Sequence, residues 1–362
     1  MRGTLQDDRR KARTYLSSPK DLFVSPDWYP LKMDFERRYV TFVHMSQTAY
    51  RESTFHASRA AHRYGKDAIE IRLDDILLAA ADIPAVAKPV HFILHCGLCC
   101  STLLTRYLDL LPSSVVMKEP HLLTQLALAR NRGIADWQEI FDLSLRLLTR
   151  TYGPAEIATI KTNIPCNPLG TRFLQHSQQA TLTFVMISIR DFMLAVLKDE
   201  YRRGLVRFWN RDLSDNATGC ALPFADIQTD KLSVEQHAAC FWLRTRFLCD
   251  DLASGRERSR VMVLNGQRIA DSPRDVLSDV AGRCGRTVNE EQLRWLIDHP
   301  SVHQHSKNTS RRYDAQSRRN ELEELQQQYG KQIDAALDWA MSFGINPDWL
   351  TIPETDAVIG QA

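Results

Sequence analysis

The chain has 362 residues, 44% hydrophobic and 25% charged, with 15 Gly and 15 Pro, which suits one large α/β domain with accessory segments and excludes disordered and collagen-like classes. A formal net charge of +2 gives no global pull toward nucleic acid or an anionic membrane, so neither is an expected partner. The opening MRGTLQDDRRKARTYL lacks the apolar run of a signal peptide, and no later segment nears the ~18 apolar residues of a membrane span, so a cytoplasmic protein is expected.

In chain order, residues 1–35 are mixed and Pro-punctuated and read as an irregular arm or cap. Residues 38–45 (RYVTFVHM) have strand character, 53–64 read as helical, and 69–81 carry a short strand and a helix before Pro84 and Pro89. From there short apolar runs alternate with longer amphipathic ones, the signature of a largely parallel sheet. The predicted strands are 90–95 (VHFILH), 115–118, 158–161, 182–188 and 261–264, apolar enough to be buried on both faces. The predicted helices are 101–111, 137–152, 192–204, 235–252 and 274–284. A last helix over 318–343 keeps Leu322, Leu325, Tyr329, Ile333 and Leu337 near one face, which predicts packing against the sheet. The expected organisation is an arm and cap to residue 88, a core over 89–290, and a C-terminal basic loop with a long helix packed on the core over 291–362.

The eight cysteines are scattered and read as reduced and mostly buried. Cys96, Cys99 and Cys100 cluster, but no Cys or His pair follows at the spacing of a structural zinc site, so no metal is expected.

The segment VHFILHCGLCCSTLLTRYLDLLP places a buried strand, a turn with Gly97, and a helix striped by Leu103, Leu104, Tyr107, Leu108 and Leu111 in succession. Such a junction aims backbone N–H groups and the positive end of a helix dipole at the loop, where a phosphate fits. Ser101 and Thr102 add hydroxyls at the expected N-cap positions. An ordinary βα turn is the other reading. The Gly-Lys pair of a Walker loop is absent, which weighs against ATP with Mg²⁺.

The run Gly97, Leu98, Cys99, Cys100, Ser101, Thr102, Leu103, followed by Leu108, Asp109 and Pro112, resembles the 5′-phosphosulfate loop of sulfotransferases. Their pattern is roughly [RK]-S-G-T-[TS]-x-L before a helix. Glu119 in MKEP is similar to the catalytic base of tyrosylprotein sulfotransferases and their bacterial relatives, and Lys161 in IKTNIP to a lysine that ends a later strand there. Arg190 is similar to the arginine that opens the family's 3′-phosphate segment, and the motifs run in family order over residues 90–285. The resemblance implies an α/β, P-loop NTPase-like three-layer α/β/α domain with a mostly parallel sheet and a long C-terminal helix. It also implies 3′-phosphoadenosine 5′-phosphosulfate as donor substrate and a small-molecule or peptide acceptor.

The sequence departs from that pattern. Leu98 stands where the family has Lys or Arg, Cys100 replaces a Gly, Lys198 stands at an expected Ser, and Asn163 at the His of cytosolic members. Sulfuryl transfer needs cations and dipoles at the leaving 5′-phosphate and a base for the acceptor's proton. Glu119 and Lys161 are the catalytic candidates, with Lys161 replacing the absent loop cation. Gly97 to Thr102, Arg190, Lys198 and Lys307 are the candidates for the nucleotide, with Arg311 and Arg312 beside Lys307 as a basic loop. The ordinary readings are a solvent-exposed or capping Glu119, a strand-end Lys161 reaching water, and an Arg190 paired with Asp191. A protein of the same fold without turnover is the alternative function, and phosphoryl transfer with ATP a third.

Overall fold

The computed structural model describes residues 16–56, 63, 68–84, 88–112, 114–216, 224, 226–303 and 315–352. Its elements are β1 (Trp28–Asp34), β2 (Tyr39–His44), α1 (Gln47–Glu52), β3 (Ile69–Arg72), α2 (Leu73–Ala81), β4 (Val90–His95) and α3 (Ser101–Leu110). There follow β5 (Ser114–Lys118), α4 (His121–Ala129), α5 (Trp137–Leu148), β6 (Ile157–Lys161), α6 (Gly170–Gln175), β7 (Ala180–Met186), α7 (Ile189–Leu197) and α8 (Glu200–Asn216). The last are α9 (Val234–Ser254), β8 (Val261–Asn265), α10 (Gly266–Asp271), α11 (Pro273–Arg283), α12 (Glu290–Asp298) and α13 (Ala315–Met341).

The class is α/β. Five strands run in the order β5-β6-β4-β7-β8, and β5–β6 and β7–β8 pair in parallel. All six residues of β4 and all five of β5 are buried, as expected for strands covered on both faces. The chain divides into two compact units, the boundary falling within β4 after Phe92: residues 1–92, 108–163 and 175–180 form the first, and 93–107, 164–174 and 181–362 the second.

The first unit also holds an antiparallel sheet, β1-β2-β3, with Val40 opposite Ile71. This corrects the irregular-arm reading over residues 28–34, where Tyr29, Leu31 and Met33 are buried in β1; residues 1–15 of that reading lie outside the described residues. Pro30, which misled that reading, sits where the β1–β2 register shifts, a place where a residue without an N–H is tolerated. Residues 53–56 are not helical, and most of the rest of the 53–64 prediction lies outside the described residues. Lys118 is buried at the end of β5, and its ammonium donates to Asp109 Oδ2 at 2.6 Å and to the carbonyls of Tyr50, Arg51 and Ser53. Burial raises the Asp109 carboxyl above the usual range although Lys118 opposes the shift.

In the second unit the predicted helix over 192–204 is two helices, α7 and α8, broken at Lys198 and Asp199, and α8 runs on to Asn216. The long helix α13 packs on α7 and α9 rather than on the sheet, burying Ile333, Ala336 and Ala340. Trp242 of α9 is fully buried and donates Nε1–H to the Ile187 carbonyl at 2.9 Å, so it packs in the core.

Candidate functional site

The loop of the second unit is built by the end of β4. Cys96 N–H still donates to the Val185 carbonyl of β7 at 3.1 Å, after which the chain leaves the sheet. Gly97 (φ 82), Leu98 (φ 55) and Cys100 (φ 63) all take left-handed backbone conformations. At Gly97 a Cβ would also meet Ile164 Cδ1 at 2.9 Å and the Trp209 ring at 3.3 Å, so only glycine fits. Leu98 and Cys100 are not glycine, and each costs of order 1–3 kcal/mol in that region. Left-handed residues leading into a right-handed helix form an anion-binding concavity of backbone N–H groups.

Helix α3 opens immediately after Cys100, whose carbonyl accepts from Leu103 N–H at 2.9 Å and Leu104 N–H at 3.1 Å. Ser101 and Thr102 therefore lie in the first helical turn, and the expected N-cap role falls to Cys100. The positive end of the α3 dipole points into the loop. Gly97 N–H donates to His95 Nδ1 at 3.0 Å, which makes that nitrogen an acceptor. From behind, α10 closes on the loop at Gly266, where a Cβ would lie 2.1 Å from the Cys99 carbonyl oxygen. Burial drives the Cys96 thiol well above its ordinary value. Burial raises Cys99 too, but hydrogen bonds from the Cys96 side chain, His95 and Ser101 N–H outweigh it and pull Cys99 below.

Two cations of the second unit pair with carboxylates of α13, and α13 itself carries a third toward the loop. Arg190, in the first turn of α7, pairs with Asp334 at 2.5 Å and donates to Gln326 at 3.3 Å; its expected structural partner, Asp191, instead donates its N–H to the N-cap Ser188. Lys198 follows the last residue of α7 and pairs with Glu321. The third, Arg318, was not singled out in the sequence. It is 7% exposed, and its guanidinium donates to Cys100 Sγ and, at 3.4 Å, to the Leu98 carbonyl. Its signal was periodicity, since residue 318 falls on the face of Leu322, Leu325 and Tyr329 where an apolar side chain is the norm. Lys307, Arg311 and Arg312 lie outside the described residues.

The first unit holds the other pair. Glu119 follows β5, takes a left-handed φ of 57, and donates its N–H to the Lys161 carbonyl at 2.7 Å, one step beyond the β5–β6 ladder. Lys161 forms an ion pair with the Glu119 carboxylate, and its ammonium lies 5.5 Å from the Phe55 ring centre. The lysine side chain is 2% exposed and the glutamate side chain 19%. Neither ordinary reading holds, because Lys161 does not reach water and Glu119 does not cap α4, whose N-cap is Pro120. Among the described residues five non-glycines are left-handed, and Leu98, Cys100 and Glu119 are three of them; such strain concentrates at functional positions. His121 opens α4, and burial followed by the Lys32 charge lowers its pKa, favouring the neutral ring near pH 7.

No family model matches the chain, and no curated protein matches it. Its structure is similar to that of a sulfotransferase from Mycobacterium avium at 13% identity, over 73% of this chain and 82% of that one, with a TM-score of 0.37. It is similar to a sulfotransferase from Alicyclobacillus acidocaldarius at 12% identity, over 74% and 100% of the two chains, TM-score 0.37. It is also similar to the sulfotransferase domain of the Synechococcus PCC 7002 olefin synthase at 16% identity, over 58% and 78%, TM-score 0.35. Among the described residues no helix is long and apolar enough to cross a membrane.

Proposed function

We propose that this chain is a sulfotransferase-like enzyme that takes 3′-phosphoadenosine 5′-phosphosulfate as donor and a hydroxyl or amine of a small molecule or peptide as acceptor. The observation that carries the reading is the left-handed turn at Gly97, Leu98 and Cys100 between a fully buried strand and the start of α3. A backbone paying that conformational cost at a helix N-terminus is shaped for an anion. The ordered motifs Glu119, Lys161 and Arg190 select the phosphosulfate nucleotide among anions. The missing loop lysine speaks against ATP with Mg²⁺.

In the reaction the acceptor oxygen or nitrogen attacks sulfur in line, and the bond from sulfur to the bridging oxygen breaks. The electron pair leaves on the 5′-phosphate as adenosine 3′,5′-bisphosphate. Glu119 takes the acceptor's proton, and Lys161 holds that carboxylate in place. Backbone N–H groups of the loop and the α3 dipole stabilise charge on the leaving phosphate. Arg190 addresses the 3′-phosphate by exchanging Asp334 for it, a swap between two oxyanions that the guanidinium fork accommodates.

A protein that holds the nucleotide without turnover is the second reading. It is favoured by the apolar Leu98 in the loop and by the engagement of Arg190 and Lys198 with carboxylates of α13. Calorimetric titration with adenosine 3′,5′-bisphosphate tests the common part, and absence of binding overturns both. Release of bisphosphate from the donor, in the presence of a panel of phenols, alcohols and amines, separates them. The enzyme reading expects release that Glu119→Gln lowers by at least ~100-fold while bisphosphate binding persists. Binding without acceptor-dependent release leaves the non-catalytic reading.

A further inference from the structure

We propose that Arg318 of α13 is the cation of the loop at residues 97–102 and binds the 5′-terminal group of the nucleotide, supplying the charge that Leu98 lacks. This rests on the nucleotide reading above and adds to it the residue that makes the loop cationic.

The dipole of α3 is worth about half a positive charge at its N-terminus, against a ligand group carrying one or two negative charges. Residues 96–102 (CGLCCST) contribute no basic side chain. Backbone geometry alone therefore shapes the cradle without neutralising what enters it. Arg318 meets that deficit at the right atoms: one terminal nitrogen donates to Cys100 Sγ and the other faces the Leu98 carbonyl, so the fork spans the two left-handed residues of the turn. Arg318 is 7% exposed, so its fork is held against the loop by the packing around it, and an oxyanion in the cradle gains a planar, bidentate donor.

The neighbouring cations are committed differently. Arg319, one residue on, pairs with Asp271 at 3.0 Å; Arg190 pairs with Asp334 and Lys198 with Glu321. Arg318 alone of these four donates to the loop. Its direction follows from the helix: residue 318 shares a face with Leu322, Leu325 and Tyr329, and that face is held inward by the packing of α13 on α7 and α9. A charge that the resembling loops carry within themselves is thus delivered by a rigid element 218 residues downstream of Cys100.

The test uses the full chain and two probes, adenosine 3′,5′-bisphosphate and adenosine 3′-monophosphate, titrated into wild type, Arg318→Gln, Arg318→Lys and the double variant Leu98→Lys/Arg318→Gln. The expected result is that Arg318→Gln weakens the bisphosphate about ten- to a hundredfold and leaves the 3′-monophosphate, which has no 5′ group, unchanged. Arg318→Lys, keeping charge but losing the fork, falls between, and Leu98→Lys restores affinity in the double variant. Bisphosphate affinity equal in wild type and Arg318→Gln overturns the Arg318 assignment while the nucleotide reading stands. Equal losses for both probes mark a structural arginine and overturn it as well. Wild type binding neither probe overturns the nucleotide reading and this inference together.

Discussion

Gly266→Ala sets two opposing effects against each other. Gly266 opens α10, and helix propensity alone makes alanine more favourable than glycine there by up to about 1 kcal/mol. The structure predicts the opposite sign. The new Cβ falls 2.1 Å from the Cys99 carbonyl oxygen, 3.0 Å from the carbonyl carbon and 3.2 Å from Ile187 Cγ2. The obstructing group is backbone within the loop at residues 97–102, so relief requires moving α10 or the loop, not swinging a side chain. Overpacking of this kind costs roughly 1–3 kcal/mol, which outweighs propensity. Gly204→Ala in α8 is the control, because nothing lies within 4 Å of its Cβ position and only propensity acts. Urea unfolding of the three proteins should show Gly204→Ala more stable than wild type by about 0.5–1 kcal/mol and Gly266→Ala less stable by about 1–2 kcal/mol. Because the strain falls on Cys99, Gly266→Ala should also weaken bisphosphate binding, and Gly204→Ala should not. A Gly266→Ala variant as stable as the control would refute the close approach of α10 to the loop.

Glu119→Gln leaves the buried Lys161 ammonium without that carboxylate and should destabilise by about 2–3 kcal/mol, below the range for fully buried pairs because the Glu119 side chain is 19% exposed. Adding Lys161→Met should recover part of the loss, and urea unfolding of both singles and the double reads the coupling. His237 has its pKa pushed down to about 4 by burial and by Arg207, Arg211 and Arg244, so the folded ring stays neutral where the unfolded one charges near 6.5. Its stability contribution is present above pH 6.5 and is lost as pH falls toward 4; His237→Gln should lower the proton uptake on unfolding at pH 5 by about one proton, measured from stability against pH. Gly97→Ala should destabilise by about 1–3 kcal/mol and abolish bisphosphate binding, since it adds left-handed strain to a clash with Ile164 and Trp209; retained binding would show that the turn is not the cradle.

Much of the fold was legible because the pattern had one cause. The strand Val90–His95 is apolar without alternation, and burial on both faces is the condition that permits it. The errors fell where two causes competed. Pro30 and its neighbours read as irregular, yet an edge of the β1–β2 ladder accepts a proline at a shift of register. The run 192–204 reads as one helix by propensity, but Asp199 is a capping signal inside it: its carboxylate accepts from Arg202 N–H at 2.9 Å and starts α8 afresh. Ser101 and Thr102 look like caps by residue type, but the helix begins at Ser101, so the cap falls to Cys100 with its left-handed backbone.

At the candidate site, type and order were legible and partners were not. Lys161 as a charge in an apolar strand demanded a carboxylate or a ligand, and the structure supplies Glu119. Arg190 and Lys198 were identifiable as cations after β7, but their carboxylates, Asp334 and Glu321, lie more than 120 residues away and carry no local signal. Arg318 shows why the loop looked deficient. A short motif records only charges held within its own turn, whereas electrostatics depends on distance through space. Leu98 is therefore no measure of the loop's potential, and one substitution should move that potential without touching the turn: Arg318→Glu. It reverses the charge that the α13 side chain contributes beside Leu98 and Cys100, so added salt, which screens exposed charges and spares buried ones, should not rescue its binding of adenosine 3′,5′-bisphosphate. Recovery at high salt would place the arginine's influence in the solvent and not in the cradle.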